Sequence, residues 1–152
     1  MVALTTPFFE FGLKAPDFNL PGVDVHSSSL SEITWNNGTL VMFICNHCPY
    51  VLSVIHRIVE DISILNSKGI GAIAIMSNDV NDPTYGHEDS FDNMKLFSQH
   101  NNFNFPYVYD TSQNIGREYT AFCTPDFFGF TSNTYLPSSG MLSASNMYFI
   151  PL

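Results

Sequence analysis

Two apolar stretches, residues 39–45 and 70–76, flank a segment whose apolar residues recur at helical spacing, and this triplet constrains the fold more than any other feature. The first stretch reads Thr39-Leu-Val-Met-Phe-Ile-Cys45 and the second Ile70-Gly-Ala-Ile-Ala-Ile-Met76. Their length and their β-branched and aromatic content predict strands buried on both faces. Between them Val51, Ile55, Ile58, Ile62 and Leu65, with Val54 and Val59 beside them, trace one face of a helix. Ser53, His56, Arg57, Glu60, Asp61 and Asn66 fall largely on the other face. Lys68-Gly69 supplies a C-terminal charge and a stop. A strand, a helix and a strand joined in this way imply two parallel strands with a right-handed crossover. The fold class is therefore α/β.

The remaining segments fit around that unit. Residues 17–20 suggest a short strand and residues 30–33 a single helical turn. A polar loop, residues 77–87, leads to a helix expected from Asp89 to about His100. Residues 105–109 and 126–130 read as strands and residues 114–119 as a short helix. Residues 131–152 are rich in Ser, Asn and Pro, with one strand-like run at 146–150 and no amphipathic helix. There is no internal repeat or linker, so a single domain is expected over residues 1–152. At 45% apolar and 12% charged residues, the chain has enough core-forming side chains to fold without disulfide staples.

Charge narrows the partners. The formal net charge is −9, with five Lys and Arg in total, which argues against nucleic acid or an anionic membrane surface. No apolar run reaches the length of a membrane span, and the first ten residues lack the pattern of a secretory signal. Three cysteines, Cys45, Cys48 and Cys123, do not make a secreted disulfide framework. A cytoplasmic location is the expectation.

The chemistry concentrates in Cys45-Asn46-His47-Cys48-Pro49-Tyr50, between a buried strand and a helix start. A helix N-terminus carries unpaired N–H groups and partial positive charge. Both favour a thiolate, the nucleophile of thiol–disulfide exchange. The two intervening residues let the sulfurs meet across one turn. Asn46 is placed to cap the helix, and Pro49 is tolerated in its first turn. His47, when protonated, lowers a neighbouring thiol's pKa. A lone C-x-x-C is also half of a zinc site, with His47, His56 or Cys123 to complete it, but a second C-x-x-C or H-x-x-H pair is absent. The expectation is a redox pair with no metal and no cofactor.

These residues and others in the same order resemble the thioredoxin superfamily, in particular its redoxin branch with alkyl hydroperoxide reductase and thiol-specific antioxidant (AhpC/TSA) proteins. The matching pieces are Lys14-Ala-Pro-Asp-Phe-Asn-Leu20, Met42-Phe-Ile-Cys-Asn-His-Cys-Pro-Tyr-Val51, Ile75-Met-Ser-Asn-Asp79, Phe105-Pro-Tyr-Val-Tyr-Asp110 and Cys123-Thr-Pro-Asp-Phe-Phe128. The resemblance implies a thioredoxin-like fold, with a central mixed sheet flanked by helices. It implies that Thr124-Pro125 is the family's cis-proline, packed against the cysteines beside a substrate groove. It makes Cys45 the exposed attacking thiol and Cys48 the buried resolving thiol, with Asn46, His47, Pro49, Thr124 and Pro125 lining the substrate site. Cys123 is then a candidate third redox thiol, or equally a small buried hydrophobe. The implied activity is thiol–disulfide oxidoreduction, on a protein or small-molecule disulfide and with a recycling reductant as second partner.

The chain departs from the pattern in three places. Thioredoxins often bury a carboxylate beneath the cysteines, whereas no Asp or Glu lies between Glu32 and Glu60. Thr39 stands near the expected place, and Asp126 is a substitute that strand alternation points either toward the cysteines or away from them. Ile44 stands where thioredoxins carry Trp, so surface recognition should differ. Residues 131–152 lack the family's closing strand and helix, which suggests an atypical or truncated end and a sheet face that a partner covers. Two other functions compete. A peroxiredoxin-like thiol peroxidase would use Cys48-Pro49, but Cys45 replaces the usual Thr, and Arg57 and Arg117 lie outside the family's arginine segment. A non-catalytic binding module on the same fold would draw on the 14% aromatic content, including Phe127, Phe128 and Phe130.

Overall fold

The computed structural model describes residues 14–134. Strands β1 (Asn19–Pro21) and β2 (Ser27–Ser29) form a short antiparallel ribbon that leads into α1 (Leu30–Ile33). Then follow β3 (Gly38–Phe43), α2 (Pro49–Ser67), β4 (Ile70–Met76), a 3-10 turn (Gly86–Asp89), α3 (Phe91–His100), β5 (Tyr107–Tyr109), α4 (Asn114–Glu118) and β6 (Asp126–Phe130). The main sheet has the order β5-β4-β3-β6. β4 runs parallel to both β3 and β5, and β6 closes the other edge antiparallel to β3. This is the mixed sheet with flanking helices of a thioredoxin-like fold.

The two central strands are buried on both faces because each face has its own core. Alternate side chains of a strand point to opposite sides. Leu40, Met42, Ala72, Ala74 and Met76 face one layer, with Val51, Ile55, Ile58 and Ile62 of α2 and Met94 of α3. Val41, Phe43, Ile73 and Ile75 face the other, with Leu30 and Ile33 of α1, Tyr119 after α4, and Phe128 and Phe130 of β6. Each α2 isoleucine buried in this way stabilises the fold by about 1.5–3 kcal/mol relative to an exposed one. Below the helix end, Asn37 Nδ2 donates to Lys68 O at 2.6 Å, and Gly69 takes φ +76°, which suits glycine.

Several boundaries differ from the sequence reading. β3 ends at Phe43, and Ile44 N–H still reaches Ile75 O at 3.1 Å before the chain turns at Cys45. β1 is shifted toward Pro21 from the strand expected at 17–20. The serine-rich β2 carries no apolar alternation that would announce it. α2 starts at Pro49, with Cys48 at its N-cap, so Asn46 does not cap the helix. The helix expected from Asp89 starts at Phe91, because Ser90 is the cap and its Oγ accepts the Asn93 N–H at 3.4 Å. Asp89 belongs to the preceding turn and is fully buried. The expectations for 135–152, including the run at 146–150, lie outside the described residues.

Candidate active site

The turn from β3 into α2 carries Cys45 and Cys48 to the loop before β6. There the Thr124–Pro125 peptide bond is cis. Cys45 Sγ and Thr124 Oγ1 share a hydrogen bond of 3.1 Å. The Cys48 thiol donates to Thr124 O at 3.2 Å. One residue thus meets both sulfurs, through its side chain for one and its backbone for the other. Pro49 is exposed in the first turn of α2, and Cys123 is half-buried. His56 lies on the exposed side of α2.

The burial of the two thiols is the opposite of what the resemblance implied. Cys45 is 1% exposed, whereas Cys48 at the helix N-cap is half-buried. The reason lies in the strand boundary. Cys45 directly follows the buried end of β3, so its side chain stays in the α2 layer of the core. Burial pushes the Cys45 thiol up to about 11, and the charge of Asp89 adds to this. The hydrogen bond to Thr124 and the backbone N–H of Cys48 pull in the other direction without overcoming burial.

Asp89 is the residue that sequence reasoning missed. Its carboxylate is 0% exposed and receives three donors. Asn46 N–H reaches Oδ1 at 2.8 Å, while His47 Nδ1 and Asn78 Nδ2 each reach Oδ2 at 2.8 Å. A buried carboxylate needs such partners to be tolerated. The rest of the loop is held as firmly. Asn46 Nδ2 donates to Glu88 O at 3.1 Å, and Tyr107 OH donates to Asn46 Oδ1 at 3.0 Å. Burial, with the charges of Cys45 and Asp89, keeps that phenol well above its ordinary range and so a neutral donor. The His47 ring stacks on Tyr85, with centroids 4.6 Å apart and planes at 16°. Asp89, Asn78, Tyr85 and Tyr107 come from distant loops and strands. The one local signal was Ser90, which can cap a helix and thereby frees Asp89 for another role.

Thr39, near the place of the family's carboxylate, is buried but donates to Ile33 O at 3.2 Å, at the opposite end of β3 from Cys45. Asp126, the substitute considered from sequence, lies opposite Phe43 in the sheet, and its Oδ1 accepts the Phe127 N–H at 3.1 Å. Cys45, His47 and Asp89 each place a donor atom within 4.8 Å of the others, a spacing that could hold a metal ion. His47 Nδ1 and Asp89 Oδ2 are, however, bonded to each other, and both Asp89 oxygens already have N–H partners. His47 and Asp89 are a hydrogen-bonded pair, while Cys45 Sγ is bonded to Thr124.

The sheet order, the two-layer core and a pair of thiols at the start of the first crossover helix are those of a thioredoxin-like protein of the redoxin type. The model of the AhpC/TSA family matches residues 11–144, and the chain belongs to that family. An uncharacterized conserved protein from Geobacillus kaustophilus is similar at 36% identity and a TM-score of 0.87, covering 100% of this chain and 80% of that one. The thioredoxin domain of a thiol-disulfide oxidoreductase from Bacteroides vulgatus shares the fold at a TM-score of 0.68 and 13% identity, covering 86% of this chain and 87% of that one. A secreted Mycobacterium tuberculosis disulfide oxidoreductase does so at 0.63 and 14% identity, with 82% and 87% covered. A search of the curated proteins finds no match. Among the described residues, no helix is long and apolar enough to cross a membrane.

Proposed function

We propose that the protein is a thiol–disulfide oxidoreductase that works through a Cys45/Cys48 dithiol–disulfide couple. The observation that carries this reading is the convergence of both sulfurs on Thr124, at 3.1 and 3.2 Å. Cys48 attacks, because it is the accessible thiol and sits at the N-cap of α2. Its sulfur displaces one half of a substrate disulfide and forms a mixed disulfide. Cys45 then attacks Cys48 Sγ, the substrate leaves as a thiol, and the protein holds the Cys45–Cys48 disulfide. Pro49, Thr124 and Pro125 border the substrate, with the half-buried Asn46 and His47 at the rim, and Cys123 stands next to Thr124 as a candidate third thiol. The substrate is a protein or small-molecule disulfide, and a second thiol partner recycles the couple. A cytoplasmic location is proposed from the low cysteine count.

Titration of the intact protein in glutathione or dithiothreitol buffers, with thiols trapped and counted by mass, tests the couple. Reversible loss of two thiols mapped to Cys45 and Cys48 is the expected result, and the midpoint sets the direction of exchange. Absence of a reversible two-thiol step sinks the reading. Cys45→Ser should accumulate a mixed disulfide on Cys48. Accumulation on Cys45 in Cys48→Ser instead would restore the opposite order of attack.

A second reading, thiol peroxidase, draws support from the same helix start, with half-buried Cys48 followed by exposed Pro49, and from the family. No arginine is bonded into the site among the described residues; the Arg117 guanidinium donates to Ser112 O and Asn114 Oδ1. Fast hydrogen peroxide turnover that survives Cys45→Ser and disappears in Cys48→Ser would place peroxidase first.

A further inference from the structure

One cluster of side chains beside the dithiol offers more than hydrogen bonds. Cys45 Sγ, a ring nitrogen of His47 and an Asp89 oxygen lie within 4.8 Å of one another. Thiolate sulfur, imidazole nitrogen and carboxylate oxygen are the donor types that zinc takes. Tetrahedral zinc, with bonds of about 2.0–2.3 Å, sets its donors about 3.5 Å apart. The His47–Asp89 pair stands at 2.8 Å, so it opens slightly around an ion while the sulfur closes in. Exposed acidic groups often gather without a metal, but this carboxylate is 0% exposed. A thiolate and a carboxylate together cancel the charge of a divalent ion, which burial of that ion requires.

We propose that Cys45, His47 and Asp89 form a binding site for a thiophilic divalent cation of the zinc class, with a water in the fourth position. The ion takes the place of the proton between His47 Nδ1 and Asp89 Oδ2, and the imidazole binds in its other tautomer. The Cys45 proton leaves to solvent, so one proton is released per ion. Asn46 N–H on Oδ1 and Asn78 Nδ2 on Oδ2 stay in place and orient the carboxylate. Thr124 Oγ1 donates to the Cys45 thiolate, and the stacking on Tyr85 fixes the plane of the His47 ring. The His47 side chain is 24% exposed, which gives the ion its way in. Asp79 and Asp82 act on Tyr85 together with Asp89, so this entrance carries a field that attracts cations. Bound zinc withholds the Cys45 sulfur and leaves Cys48 free, and exchange then stops at the mixed disulfide. That consequence rests on the dithiol reading above, whereas the binding itself does not.

Cobalt and zinc titrations of the reduced, chelator-treated protein in a Cys123→Ser background test the site. One cobalt ion per chain should give the visible bands of a tetrahedral ion and a thiolate charge-transfer band in the near ultraviolet. Zinc affinity, measured by competition with a chromophoric chelator, should fall at least about tenfold in Asp89→Asn and in His47→Gln. His56→Gln, on the exposed side of α2, should leave it within about twofold. Failure to bind either metal at micromolar protein overturns the site. Binding that Cys45→Ser abolishes but Asp89→Asn and His47→Gln leave unchanged is ligation by the dithiol alone and also overturns it. If Asp89→Asn does not fold, unchanged affinity in His47→Gln overturns it. Reaction with 5,5′-dithiobis(2-nitrobenzoate) in the same background reads the consequence. The first release of nitrothiobenzoate reports attack by Cys48, and the second reports resolution by Cys45. One equivalent of zinc should leave the first phase within about threefold and slow the second at least about tenfold, and a chelator should restore it. A second phase that zinc does not slow overturns Cys45 as a ligand. A chelated protein with no second phase overturns the couple, and the metal titrations then decide the site by themselves.

Discussion

Cys45 ties the stability of the reduced protein to alkaline pH. Its thiol, with an ordinary value of 9.0, is pushed up to about 11 chiefly by burial. Above pH 9 the unfolded chain gives up this proton while the folded chain keeps it. The folded state then binds more protons, so stability falls as pH rises. The contribution is intact below pH 9 and is lost through about 11. A shift of this size corresponds to about 3 kcal/mol. Tyr107 and Tyr119, both raised by burial, add to the alkaline fall, so the readout is a difference. Urea unfolding of the reduced protein and of Cys45→Ala should show a gap that changes by about that amount across this window. A constant gap would mean that Cys45 titrates normally. Thr124→Val removes the Oγ1 hydrogen bond to Cys45 and leaves the carbonyl that receives Cys48. It should slow resolution several-fold, corresponding to about 1 kcal/mol, with the attack of Cys48 little changed in the two-phase assay. The cysteines and Thr124-Pro125 were legible in the sequence because each forms a compact motif. Asp89 was not, because it meets Asn46 across 43 residues of chain and only the fold brings them together.

At the level of elements, β3, α2 and β4 were legible because a two-faced buried strand and a 3.6-residue period leave few other arrangements. The 3-10 turn was misread because an acidic residue before an apolar run looks like a helix start, and only the bond from Asn93 N–H to Ser90 identifies the cap. One close approach was also invisible. A Cβ on Gly71 of β4 would lie 2.0 Å from Ile33 O, at the end of α1. That contact is with backbone, so it cannot relax by rotating a side chain. Gly129 of β6 lies in the same sheet, but a Cβ there would meet nothing within 4 Å. Gly71→Ala should therefore destabilise by about 3 kcal/mol, and Gly129→Ala by no more than about 0.5 kcal/mol. Equilibrium denaturation of both variants checks this. Equal midpoints would show that α1 can move off β4 at little cost, and the tight seam between these elements would be wrong.

For the whole molecule, the sheet buried on both faces explains how a chain of 152 residues with so few charges makes two core layers. It also leaves the surface charge unbalanced, at a formal −9. The imbalance reaches the thiols. Asp79, Asp82 and Asp89 all act on Tyr85, the ring stacked on His47. Two of the described cations are engaged elsewhere, Lys95 over the Phe91 ring at 5.0 Å and Arg117 bonded within the α4 region. A negative field around a reactive group concentrates cationic partners and repels anionic ones, and salt weakens it as the screening length falls from about 10 Å at 0.1 M to about 3 Å at 1 M. The attack of Cys48 should thus be faster on a cationic disulfide such as cystamine than on an anionic one such as dithiodiglycolate. Each rate is first divided by that of free dithiothreitol, which removes the intrinsic reactivity of the two disulfides. The normalised preference should be about tenfold at low ionic strength and approach unity near 1 M salt. A preference that does not change with salt would trace to contacts with the substrate instead of the field, and a preference for the anion would place an unrecognised cation beside Cys48.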